Sequence, residues 1–207
     1  MIPLAIASLC VILASSALLL VGVLTIGWLQ FRDRVLVTAV VALSYALVLN
    51  LEPHWWWVSN AAVITIAAAA GVMIGSTLRS RQAVIAFCVA AAIVDVLSFS
   101  GGLTRSIVES FQSGDSHLLM HLSVAFPVGG TVRPIVGIGD LVILAGLFSS
   151  LCHLRFRGWL PFVVPVAGLV LALGVGLAIG GAPALPFIAA ATVAFVLARR
   201  NKRNVAV

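Results

Sequence analysis

Of the six acidic residues in the chain, Asp33, Glu52, Glu109 and Asp115 lie between apolar runs, and only Asp95 and Asp140 fall within them. Asp95 sits in AAAIVDVLSF. Asp140 sits in RPIVGIGDLVILAGL, with Gly137 and Gly139 just ahead of it. A carboxylate inside an apolar span is costly, so it faces a cavity or a partner. No Lys or Arg lies within the same runs, which leaves the two acids each other, water or backbone groups as partners. Two adjacent carboxylates cannot both ionise easily and so share a proton. The charged one can take a proton from water while the other donates a proton to a carbonyl oxygen, which is what peptide hydrolysis requires of an acid–base pair. The same pair could relay protons through a transporter, and from two acids alone that reading carries more weight. Gly137 and Gly139 shift the balance. They admit close backbone approach or a non-helical turn before Asp140, leaving room for a substrate strand.

The elements that must position these groups follow from composition. With 62% hydrophobic and 9% charged residues, the chain has too much apolar surface for a soluble domain. It reads instead as an all-α polytopic membrane protein, with each helix satisfying its own backbone in lipid. Seven spans are predicted: Pro3–Gln30, Val35–Leu51, Val58–Leu78, Ala83–Phe99, Ile135–Leu154, Trp159–Gly180 and Pro183–Ala198. The first is too long for a cleaved leader and has no basic residue ahead of it. The net charge of +6 comes from clusters between spans, which set topology and do not call for nucleic acid. Arg32 and Arg34, Arg79 and Arg81, Arg155 and Arg157, and the tail from Arg199 to Arg203 all fall on one side. That side is assigned to the cytoplasm, with the N-terminus outside and the C-terminus inside. Cys10, Cys88 and Cys152 have no paired spacing and read as small core residues; no metal site is expected.

In this topology the fourth span runs outward and the fifth runs back. Asp95, near the outer end of one, and Asp140, about five residues or about 8 Å into the other, then lie at similar depth on adjacent helices. The long outer connection Ser100–Pro134 holds Arg105, Glu109, Asp115, His117 and His121, which read as a solvated loop face. Within it, Gly129-Gly130 between Val124–Val128 and Thr131–Val132 has the composition of a short β-hairpin before the fifth helix, made less regular by Pro127 and Pro134. The tryptophans of EPHWWW, Glu52–Trp57, read as an interfacial anchor.

GIGD at Gly137–Asp140 resembles the GxGD signature of the intramembrane aspartyl proteases, the presenilin and signal peptide peptidase family. Asp95 in the preceding helix corresponds to that family's other aspartate. Pro183-Ala184-Leu185, opening the last helix, is similar to its PAL motif. SVAFP before the glycine pair, together with GIGDLVILAGLF, is similar to the signal peptide peptidase version. The resemblance covers Ala83 to Ala198. It implies a presenilin-like arrangement, with residues 1–82 as a three-helix scaffold and 83–207 as the catalytic four-helix portion of one membrane domain. It implies that Asp95 and Asp140 are catalytic, and that Gly137, Ile138, Gly139, Pro183, Ala184 and Leu185 border the substrate. No cofactor is implied. The partners implied are the lipid bilayer and transmembrane helices or signal-peptide remnants, cut at a prokaryotic cell membrane, with the cleaved segment pairing as a strand at the ribbon. Val94 stands where the family usually has Tyr, Pro186 follows the PAL triplet, and the family commonly has more spans. The alternatives are a proton-coupled transporter using the same two aspartates, a prepilin-peptidase-like GxGD protease, and a silent relative acting as a scaffold.

Overall fold

The computed structural model describes residues 2–27, 31–48, 56–100, 122–128, 131–154, 156, 158–179 and 182–204. The expected loop residues Arg105, Glu109, Asp115, His117 and His121, the hairpin tip Gly129-Gly130 and residues Glu52–Trp55 lie outside these. Seven helices are present among the described residues: α1 Ile2–Gly27, α2 Phe31–Val48, α3 Trp56–Thr77, α4 Arg81–Ser100, α5 Ile138–His153, α6 Leu160–Ile179 and α7 Leu185–Asn204. Two strands, β1 Ser123–Val128 and β2 Thr131–Gly137, pair antiparallel between α4 and α5. Four helices (α1, α3, α4 and α6) are long and apolar enough to cross a membrane. α5 and the apolar part of α7 are shorter, and α2 carries Arg32, Asp33 and Arg34 in its first turn. Of the tryptophan cluster, Trp56 and Trp57 belong to the first turn of α3, not to the connection before it.

The centre of the molecule is the α3–α5 pair. Small residues let these two backbones meet, as they do where helices pack without a hydrophobic drive between them. Gly71 and Gly75, one turn apart on α3, lie against Ala145, Gly146 and Ser149 of α5. A Cβ on Gly75 would stand 2.5 Å from the Gly146 carbonyl oxygen, inside any tolerable contact. α1 and α2 pack on the other sides of α3. A second group is built on α7, which packs against both α4 and α6. Gly168 of α6 makes close approach possible there, since a Cβ would lie 2.7 Å from the Ile188 Cα. α6 joins the groups through α1 and α5, with Phe148 and Phe162 edge to face at 5.5 Å.

The hairpin is longer than the sequence suggests. Its second strand runs to Gly137 and passes directly into α5, so Ile135–Gly137 are strand, not helix. Asp140 is therefore in the first turn of α5, not five residues along it. The ladder continues past the strand ends with Ile138 N–H donating to the Leu122 carbonyl at 2.9 Å. The register shifts between Val124 and Ala125, where Ile135 is the extra residue on β2. Only Cys88 of the three cysteines is a core residue; Cys10 and Cys152 are exposed.

Candidate active site

α4 and α5 carry the two aspartates but barely touch each other. Between them opens a cavity of about 800 Å³, and both carboxylates line it. Gly137, Ile138, Gly139 and Leu185 line it too, so six of the eight residues expected at the site border one space. Pro183 and Ala184 lie next to Leu185 in the chain without lining the cavity. Its remaining walls are apolar: Phe87, Ala90, Ala91 and Val94 from α4, Val142 and Ile143 from α5, and Leu122 from the hairpin base.

Each carboxylate sits at a helix N-terminus. The first N–H groups of a helix have no partner within it. In α7, Leu185 N–H donates to Asp95 Oδ2 at 2.9 Å. Pro186 has no N–H to satisfy, and Phe187 N–H reaches the Ala184 carbonyl at 3.2 Å. Ala184 has no side chain able to cap, so Asp95 does from α4 what a Ser or Asp N-cap ordinarily does from within the helix. The contact also explains Pro186: the second residue of a helix loses nothing by lacking a donor.

Asp140 is the third residue of α5, and Gly137 is its N-cap, with φ −70° and ψ 150°. The Asp140 carboxylate belongs to the N-terminal end of α5, three residues after its N-cap. Two helix N-termini, each the positive end of a macrodipole, thus converge on the pair.

The role expected for the glycines changes. Gly137 is in extended conformation open to any residue, and no non-helical turn precedes Asp140. What the glycines supply is clearance. A Cβ on Gly137 would lie 3.7 Å from Asp140 Oδ2, and one on Gly139 would project into open space. Val94, beside Asp95, is 64% exposed, so the wall next to this aspartate presents a methyl surface with no hydroxyl.

Sequence reasoning did not find Asn60, in the second turn of α3. Its carboxamide donates to the Ala125 carbonyl at 2.7 Å and accepts from Ala125 N–H at 2.8 Å. Trp56, one turn earlier, meets Phe126 edge to face at 5.4 Å. The available signal was an amide side chain within an otherwise apolar run, VSNAAV. Among the described residues no group of three metal-ligating side chains occurs. Comparison with protein-family models, with curated proteins and with solved structures finds no match for this chain.

Proposed function

We propose that the chain is a polytopic membrane protein acting as an intramembrane aspartyl protease, with its N-terminus outside and C-terminus in the cytoplasm of a prokaryotic cell. The observation that carries this reading is the convergence of Asp95, Asp140 and Leu185 on one cavity, with the Leu185 amide bonded to Asp95. Three segments far apart in the chain meet there. The resemblance to GxGD proteases rests on the same three segments.

In this reading the two carboxylates share one proton. The ionised member takes a proton from a water whose oxygen attacks the scissile carbonyl carbon. The protonated member delivers its proton to the carbonyl oxygen, giving a gem-diol. Collapse breaks the C–N bond, with the amine taking a proton from one carboxyl group as the diol returns a proton to the other. The apolar walls suit a substrate helix or signal-peptide remnant, and the hairpin beside Gly137 suits a locally unwound strand.

A synthetic transmembrane peptide incubated with reconstituted protein and read by mass spectrometry tests this. Wild type should release two fragments, and Asp140→Ala and Asp95→Ala none. Cleavage that persists in either variant sinks the mechanism. The rate should pass through a maximum with pH, since one carboxyl must be charged and the other not. A proton-coupled transporter would leave the peptide intact and instead move protons across the vesicle in an aspartate-dependent way.

A further inference from the structure

The hairpin has two outer edges, and they are not equivalent. In an antiparallel ladder, residues alternate between those that bond the partner strand and those whose backbone groups point away from it. The Ile138–Leu122 bond fixes the phase at one end. Counting back through the register puts Ser123, Ala125 and Pro127 of β1 in outward positions, opposite Gly137, Pro134 and Val132 of β2. Asn60 confirms the phase independently, because it reaches both backbone groups of Ala125 from outside the ribbon. Both prolines therefore occupy positions where no ladder donor is lost, Pro134 next to the bulge at Ile135.

The consequence is an asymmetric template. On β1, Ala125 is closed by Asn60, and beyond Ser123 that leaves only the Pro127 carbonyl, since Pro127 has no N–H to offer. On β2, Val132 keeps both an outward N–H and an outward carbonyl, and Pro134 keeps a carbonyl. That edge leads straight into Gly137 and Asp140.

We propose that Asn60 is a positioning residue of the protease. By occupying both backbone groups of Ala125 it closes the β1 edge and fixes the ribbon to α3, so that an extended substrate segment can add only along β2, in register with Asp140. This rests on the protease reading. Because α3 is locked to α5, the clamp ties the strand template and the helix bearing Asp140 to the same rigid pair. Asn60 touches neither the carboxylates nor the cavity, so its effect falls on where the bond is cut and not on the chemistry of cutting.

The test compares wild type with Asn60→Ala and Trp56→Leu in lipid nanodiscs. Trp56→Leu loosens the packing of the same strand without opening its edge. Hydrogen exchange of the segment 123–128 should quicken by about tenfold or more in Asn60→Ala, as two part-buried hydrogen bonds are lost. A substrate bearing one photo-crosslinking residue should join β2 alone in wild type, and both β2 and β1 in Asn60→Ala. Fragments should then spread from one principal bond to its neighbours, while Trp56→Leu keeps the wild-type cut. Unchanged cut sites and crosslinks in a folded Asn60→Ala protein overturn the proposal, as does an equal spread in Trp56→Leu. If wild type neither cuts nor crosslinks, the protease reading fails. Exchange of segment 123–128 still decides in that case whether Asn60 holds the β1 edge.

Discussion

α5 carries Asp140 in its first turn and is buried over Leu141 and from Leu144 to Leu151, whereas α4 carries Asp95 toward its far end and is buried only at Val84 and Cys88. One aspartate thus stands on the most enclosed helix of the molecule and the other on a helix mostly open to its surroundings. α5 is fixed by glycine-lined contact with α3. α4 is held mainly by α7, and toward its C-terminal end by the Leu185–Asp95 hydrogen bond. The lesson is one of construction. One member is fixed and the other attached from behind, which leaves the space between them clear, as the proposed protease would need for a bulky substrate.

The comparison breaks most completely in activity. On the proposed mechanism, Asp95→Asn and Asp140→Asn should both abolish peptide cleavage, because the acid and the base are both required. Next comes the fixed side. Gly75→Val should destabilise the protein by about 3 kcal/mol, since the new side chain meets α5 backbone that cannot yield. Thermal unfolding in detergent would show it, and an unshifted midpoint would mean the α3–α5 contact is looser than described. On the tethered side the effect is smaller. Asp95→Ala should cost about 1 kcal/mol by uncapping α7, with Asp95→Asn costing less because an acceptor oxygen remains. Equal midpoints for the two variants would remove the capping role. Smallest of all is Gly174→Ala on α6, where no atom lies within 4 Å of the added methyl. It should stabilise by less than about 1 kcal/mol, through helix propensity and a less flexible unfolded chain.

The helices were legible because a long apolar run has few alternatives, and each of the seven predicted spans overlaps a helix. The start of α5 was not. Ile135 and Val136 read equally well as strand or helix, since periodicity cannot separate a short apolar run of one from the other. The aspartates stood out because an acid in an apolar segment demands a reason, and both line one cavity with Gly137–Gly139 and Leu185. That α4 leans on α7 and not on α5 was invisible, because no local pattern on α4 names its neighbour. Gly71 and Gly75 mark the central contact only once their partners on α5 are known. Asn60 was passed over because its partner is backbone, and backbone leaves no trace in residue type.

The two helices that begin at the site are also the shortest apolar ones. α5 has 16 residues and the apolar part of α7, Leu185–Arg199, has 15, so each spans about 24 Å or less. The hydrocarbon core of a bilayer is about 30 Å thick. In the membrane proposed for this protein, with their far ends level with the basic surface, the carboxylates lie several ångströms beneath the plane where the longer helices end. Lipid beside them must thin or water must fill the recess. On the protease reading the shortness of α5 and α7 would act as a hydration device, giving water a short path to a pair of acids walled by apolar side chains, and would tie the rate to the thickness of the surrounding bilayer.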